Sequence, residues 1–289
     1  MQQVTVRVPA STSNLGPGFD CLGVALRIYN DVTIARGASN RQSHDRIVLQ
    51  VADLFFKRAH CQAFAFSCSI AGKIPRSRGL GSSASIRVGV LHALNRLSGN
   101  PVDQLSIFRL CAQLEGHPDN AAPATFGGFT VVLGENVQQF EVSQRLYFVL
   151  LVPDLEVKTS KARKALPIKI PRAHAVRNCA NACAITAAFA SGNYTNLRGG
   201  FGDYLHQPFR QKLIPFLPRV IAAAEKAGAL GAFLSGSGST IAAITLQDRD
   251  KVAAAMLRAA GSIPAHTITT RADNRGASVQ QSPITITDH

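Results

Sequence analysis

Acidic residues are scarce in this chain: 17 Asp plus Glu stand against 31 Lys plus Arg, a formal net charge of +14 over 289 residues. Such a surplus suits nucleic acid, an anionic membrane or anionic metabolites. No run of five Lys or Arg occurs, and no RNA-binding signature with interleaved aromatics is visible. The charge therefore reads as spread over the surface, and neither a nucleic-acid nor a membrane partner is expected. The six cysteines, at 21, 61, 68, 111, 179 and 183, form no C-x-x-C pair and no Cys/His cluster with zinc spacing. Cys179 and Cys183, one helical turn apart in an Ala-rich run, read as small core residues. No apolar run reaches 18 residues, and residues 1–9 carry no apolar signal region. A reducing cytoplasm is the simplest compartment. Internal repeats and low-complexity linkers are also missing.

With 46% hydrophobic and 17% charged residues, the chain is globular and long enough for one large or two modest domains. Val4, Val6 and Val8 alternate with polar residues and open it as a strand ending at Pro9. A turn-rich loop follows, then a β-prone stretch at 22–36, an amphipathic helix at 43–58 and a strand at 63–70. Helical spacing runs from Ile86 to Leu97, with Gly99 as a stop. Asn100-Pro101-Val102-Asp103 reads as a cap with Pro at the first helical position, and that helix runs to about residue 114. A polar loop at 115–120 and strands at 127–133 and 146–152 complete the first half. The domain boundary is placed near Pro153, giving units of 1–153 and 154–289. The second half reads as helices at 159–166, 172–191 and 208–226 with a Pro interruption. Strands at 231–235 and 240–244, a helix at 248–260 and a strand at 266–271 follow. The tail from Gly276 reads as frayed.

One stretch organises the rest: Pro75-Arg76-Ser77-Arg78-Gly79-Leu80-Gly81-Ser82-Ser83-Ala84-Ser85. Gly79 and Gly81 can hold conformations denied to other residues and let a ligand approach the main chain. The serines fall at a helix start, where N–H groups lack partners and the dipole is positive. Together these make a phosphate cradle. It is not a P-loop, because no Lys follows Gly81. A dinucleotide fingerprint matches Gly79, Gly81 and Ala84, but the spacing to a preceding strand and a following acid is wrong.

The pattern P-x-x-x-G-L-G-S-S-A resembles the phosphate loop of the GHMP small-molecule kinases, matching at every specified position. Further segments are similar to the homoserine kinase branch of that family. These are residues 8–23, Glu115-Gly116-His117-Pro118-Asp119-Asn120 with Gly127-Gly128, and Thr159-Ser160-Lys161-Ala162-Arg163 with Leu205-His206-Gln207-Pro208-Phe209-Arg210, while residues 231–238 are similar to the wider family. The resemblance covers nearly the whole chain. It implies an α+β fold of two domains, the N-terminal one ribosomal-S5-like and the C-terminal one ferredoxin-like. It implies transfer of the ATP γ-phosphoryl group to the side-chain hydroxyl of L-homoserine, in threonine biosynthesis. A homodimer is left open. Two positions depart from the family pattern: Arg46 stands where an Asn near the adenine is usual, and Ser239 where Pro is usual.

Within that resemblance, residues 75–85 would bind ATP. Phosphoryl transfer needs charge neutralisation and in-line positioning. Ser83 is the hydroxyl candidate for Mg²⁺ and Glu115 the carboxylate candidate, since a hard cation prefers oxygen. Their ordinary alternatives are a helix N-cap for Ser83 and a helix-end carboxylate paired with a neighbouring Arg for Glu115. Asn120 stands where related kinases carry an Asp base, and an amide cannot take that proton. The resemblance thus implies catalysis by positioning and electrostatics. Asn14, Asp20, His117, Arg163 and Arg210 are assigned to the substrate, the two arginines to its carboxylate. The remaining histidines read as surface or core. Another GHMP kinase, for mevalonate or a sugar, is the nearest rival reading. An S5-like nucleic-acid-binding module is the non-enzyme rival.

Overall fold

The structure, a computed structural model, describes residues 2–37 and 45–280. Strand β1 (Gln3–Ser13) pairs antiparallel with the long β2 (Leu22–Arg36). Val6, Val8, Val32 and Ile34 pack into one core, whereas Ala10, Leu22, Val24, Leu26 and Ile28 pack into another. All are even-numbered, and a regular strand would show them on one face. The register shift between Pro9 and Ala10 turns the pair over. One ribbon therefore serves two cores, and its end delivers residues 11–20 to the middle of the molecule.

The first sheet is completed by β3 (Phe66–Gly72) and β4 (Phe129–Leu133), both on β2, and by β5 (Asn136–Phe140) on β4. Strand β10 (Ser278–Gln280) returns from the C-terminal end to pair with β1. Four helices cover one face: α1 (Arg46–Arg58), α2 (Ser82–Leu97), α3 (Gln104–Glu115) and α4 (Ala121–Phe126). Phe55, Val90, Leu94 and Phe108 are in the core beneath them.

The second sheet holds β6 (Tyr147–Pro153), β7 (Gly231–Leu234), β8 (Ile241–Thr245) and β9 (Ala265–Thr270), in the order β7-β8-β6-β9. Helix α8 (Leu217–Lys226) precedes β7 and α9 (Arg249–Ala260) precedes β9. This is the ferredoxin-like strand order expected. Alternation along β6 separates its faces. Val149 and Leu151 meet α8 and α9, while Phe148, Leu150 and Val152 meet the first sheet's Leu22, Val24 and Phe129. Helix α6 (Arg172–Ser191) closes that shared core, with Phe189 stacked on Phe129 at 4.3 Å between ring centroids. Two short helices, α5 (Thr159–Lys164) and α7 (Gln207–Arg210), reach toward the junction.

Several expectations need correction. The start of the helix expected at 43–58 lies outside the described residues; the described part begins after Asp45, whose carboxylate accepts from the Ile47 N–H at 3.1 Å. Pro101 is not the first residue of α3. Asp103 caps that helix, its carboxylate accepting from Ser106 N–H at 2.7 Å. Helix 208–226 is two helices. The chain from Gly276 is not frayed as far as Gln280, since it pairs as β10. Cys179 and Cys183 are exposed on α6 rather than core residues. Strand pairing also assigns β6, which precedes the expected boundary at 153, to the second sheet and β10 to the first.

Candidate active site

The loop after β1, the loop before α2 and the loop after β7 are bonded into one unit at the junction of the two sheets. Ser11 N–H donates to Leu80 O at 3.2 Å, Gly236 N–H to Ser13 O at 3.1 Å, and Thr240 N–H to Arg78 O at 3.1 Å. The Ser235 hydroxyl donates to Gly79 O at 2.7 Å. This closeness explains both glycines of the phosphate loop. A Cβ on Gly79 (φ +76°) would lie 2.1 Å from Ser235 O, and one on Gly81 (φ +65°) would lie 2.0 Å from the Ser11 hydroxyl. Gly81 takes the N-cap position of α2 in the left-handed region, so Ser83 is not the cap. Its hydroxyl is left for another partner.

A partly open cleft lies here, lined by residues from both halves of the chain. Asn14, Asp20, Pro75, Ser77, Arg78, Gly79, Leu80, Gly81, Ser82, Ser83, Glu115, His117, Asn120, Arg163 and Arg210 all line it. Of the residues expected at the site, Arg76, Ala84 and Ser85 do not. Ala84 and Ser85 are buried under the first turn of α2, where the Ser85 hydroxyl donates to Ser82 O at 2.8 Å and accepts from Asn30 at 2.9 Å. Arg46, at the start of α1, is exposed and away from the cleft lining. Ser239 is buried, and its hydroxyl donates to Leu155 O.

At the phosphate end, Ser83 Oγ and Glu115 Oε1 both accept from the same atom, Nη1 of Arg87. Arg87 follows Ser83 by one helical turn and so shares its face of α2. Gly116, left-handed at φ +77°, ends α3 directly after Glu115 and turns the chain into the loop that carries His117. Burial works against a charge on His117, but its Nδ1–H donates to Asp119 Oδ1 at 2.7 Å, and that bond with the charges of Asp119 and Glu115 raises its pKa overall. Asp119 is buried too, and the partnership with His117 and the Ser13 hydroxyl holds its carboxyl below the ordinary value.

Asn120 is committed on both sides. Its Nδ2 donates to Ser13 Oγ at 3.0 Å and its Oδ1 accepts from Ser11 Oγ at 2.8 Å. Asn14 likewise donates to Gly236 O at 3.0 Å and accepts from Asp20 N–H at 3.0 Å.

The Asp20 carboxylate lies within 4.8 Å of the His117 ring nitrogen and the Asp119 carboxylate, and Arg163 from α5 forks onto it with bonds of 3.0 and 2.7 Å, which raises the guanidinium pKa. Arg210 from α7 is almost fully buried. Its Nη1 donates to Gly236 O at 2.9 Å and to His206 Nδ1 at 3.2 Å. Burial, then repulsion from Arg163, lowers its pKa to about 10. His206 is fully buried, and desolvation takes its pKa down to about 4. It is therefore neutral, with Nε2–H donating to Gly16 O at 2.8 Å and Nδ1 free to accept from Arg210. The Phe19 ring stacks on His206 at 5.3 Å and lies 5.5 and 5.3 Å from the Arg163 and Arg210 guanidinium carbons. Sequence reasoning singled out none of Arg87, Asp119, Phe19 and His206. Asp119, Phe19 and His206 lay inside the quoted motifs. His206 and Arg210 are also four apart, as are Ser83 and Arg87 on α2, and that spacing is a local signal of a pair.

Two family models match the chain: the GHMP kinases N terminal domain over residues 46–128 and the GHMP kinases C terminal over 185–263. A homoserine kinase of Synechococcus sp. is 38% identical over 276 residues, covering 88% of this chain and 90% of its own length. One of Clostridium botulinum is 36% identical, covering 83% of this chain and 86% of its own length. The crystal structure of a homoserine kinase from Cytophaga hutchinsonii superposes with a TM-score of 0.88 at 26% identity, covering 97% of this chain and 98% of that one. The two-domain α+β fold and the phosphate cradle thus define an ATP-using kinase of the GHMP class. Within that class, the chain belongs to the homoserine kinase family. No helix among the described residues is long and apolar enough to cross a membrane.

Proposed function

We propose that this chain transfers the γ-phosphoryl group of ATP to the side-chain hydroxyl of L-homoserine, giving O-phospho-L-homoserine for threonine synthesis. The observation that carries the reading is one cleft lined by two different kinds of group. One is the helix N-terminus of α2 behind Gly79 and Gly81, and the other is Asp20 bonded to Arg163, with Arg210 also lining the cleft. The first suits a polyphosphate, whose oxygens accept from the unpartnered N–H groups of Ser82 and Ser83. The second suits an α-amino acid, with Asp20 toward its ammonium and the arginines toward its carboxylate.

A divalent cation fits the phosphate end. Ser83 Oγ and Glu115 Oε1, both hard oxygen donors, already meet at a single point of positive charge, Nη1 of Arg87. Ser83 and Glu115 would hold Mg²⁺, which when bound supplies charge neutralisation of phosphate oxygens.

The residues themselves position and polarise. Asn120 does not act as general base, because its amide cannot accept the proton and is already bound to Ser11 and Ser13. The substrate hydroxyl oxygen forms its bond to the γ-phosphorus as the bridge to ADP breaks, and its proton passes to a phosphate oxygen. His117, biased toward its charged form by Asp119, adds a donor and positive charge beside Glu115. Phe19 holds the two guanidinium groups in place.

The test is ADP release over a panel of homoserine, threonine, mevalonate and galactose. Homoserine is expected to be turned over best. Good turnover of mevalonate or galactose with none of homoserine would overturn the reading.

A further inference from the structure

Arg87 is placed against the ordinary electrostatics of its helix. It lies in the second turn of α2, near the positive end of the helix dipole, where a cation is disfavoured. Glu115 is the last residue of α3, at the negative end, where a carboxylate is disfavoured. Each placement is compensated by the other, and both side chains are nearly buried, at 13% and 10% exposure. The fit is incomplete. Arg87 Nε is buried and has no hydrogen-bond partner among the described residues, so Ser83 and Glu115 are what anchor the guanidinium. Ser83 and Glu115 also line the cleft, whereas Arg87 does not. The guanidinium reaches the two oxygens from within the helical layer, and a ligand reaches the same oxygens from the cleft.

We propose that Arg87 is a built-in counter-cation that competes with the divalent metal for the Ser83 and Glu115 oxygens, and so weakens metal binding to the nucleotide complex. The proposal rests on the assignment of Ser83 and Glu115 to Mg²⁺ made above. With Arg87 in place the carboxylate is neutralised before any metal arrives. A metal must then displace the guanidinium or bear its repulsion. Arg87 thereby trades metal affinity for a phosphate site that keeps its shape and balance of charge without metal.

The experiment measures ADP affinity by isothermal titration calorimetry, with EDTA and with excess Mg²⁺. The ratio is the gain from metal. In Arg87→Met that gain is expected to be about tenfold or more above that of the unaltered chain, within the usual range of coupling between two ligands. Arg87→Lys is expected to fall between, since it keeps the charge but not the planar fork. An equal or smaller gain in Arg87→Met overturns the proposal and makes Arg87 a residue that positions Glu115 for the metal. Ser83→Ala and Glu115→Gln separate the two levels of the argument. If neither lowers the gain, the metal assignment fails and takes the proposal with it. If both lower it while Arg87→Met does not raise it, only the role of Arg87 falls. Should Arg87→Met not fold with Glu115 left bare, Arg87→Gln, which keeps an amide donor, takes its place under the same criteria.

Discussion

Arg163 and Arg210 separate the substrate role of a residue from its structural role. Arg163 is half-buried and spends its fork on Asp20 alone, so an incoming carboxylate can share it. Arg210 is buried and also serves Gly236 O and His206. Arg163→Ala is expected to weaken apparent homoserine binding by roughly 1.5–3 kcal/mol, the range for hydrogen bonds to a charged group, while apparent ATP affinity changes little. Arg210→Ala should weaken homoserine binding similarly and also lower the urea midpoint, because the buried His206 Nδ1 loses its donor and Gly236 O keeps only Asn14. KM for both substrates and unfolding curves for both variants check this; equal losses for ATP and homoserine would move the arginines out of the amino-acid end. Asn120→Asp tests the absence of a base. It would replace the donor to Ser13 with an acceptor and set a second carboxylate beside Asp119, whose Oδ1 lies 3.4 Å from Asn120 Nδ2. Turnover is expected to fall, and a clear gain above the unaltered enzyme would refute the base-free mechanism.

The loop into α2 and the loop out of it both use glycine, under different demands. Gly81 combines φ +65° with a Cβ position 2.0 Å from the Ser11 hydroxyl, and that hydroxyl is bonded to Asn120. Gly99, after the helix, has φ +84° and open space around its Cβ position. Gly99→Ala is therefore expected to cost only the left-handed strain, about 1–2 kcal/mol. Gly81→Ala must also push β1's end away from the phosphate loop. It should cost more stability and reduce ADP affinity, which Gly99→Ala leaves unchanged. Urea unfolding and ADP titration on the pair decide it; equal behaviour of the two variants would mean that the contact with Ser11 does not matter.

Across the whole molecule, acid stability is tied to two buried histidines. His92 on α2 is pushed down to about 4 by burial, and its Nε2 has no hydrogen-bond partner among the described residues. His206 is depressed over the same range. Between the ordinary histidine value of 6.5 and about 4, the unfolded chain binds these protons and the folded chain does not. Stability therefore falls as pH drops through that window, by about 1.4 kcal/mol per pH unit for each group. His117 has the opposite sign, its contribution being lost as pH rises above the ordinary value, so it does not cancel this slope. His92→Leu is expected to flatten the loss measured by urea unfolding between about pH 6.5 and pH 4. An unchanged slope would show that His92 does not titrate with unfolding.

Local pattern alone determined a good part of this protein. The run at 22–36 and the helix at 172–191 were legible to the residue, because apolar spacing and a terminal Gly or Pro act within one element. The phosphate loop was legible for the same reason: left-handed glycines before a helix are a backbone requirement written in adjacent residues. Elements with weak local signal were not legible. Strand β5 is an edge strand of mostly polar residues, α4 is six residues with a Pro inside, and β10 exists because β1 offers it an edge. The site was legible as a set of motifs but not as a set of partners. Only the tertiary fold decided that Arg87, rather than solvent, meets Ser83 and Glu115, that His206 is neutral beneath Arg210, and that Asn120 is spent on Ser11 and Ser13. Those pairs join residues as far as 109 positions apart, brought together by the strand turnover at Pro9 and by two sheets sharing one core. Burial then sets the charge states, and burial is a property of the packed molecule that no single segment carries.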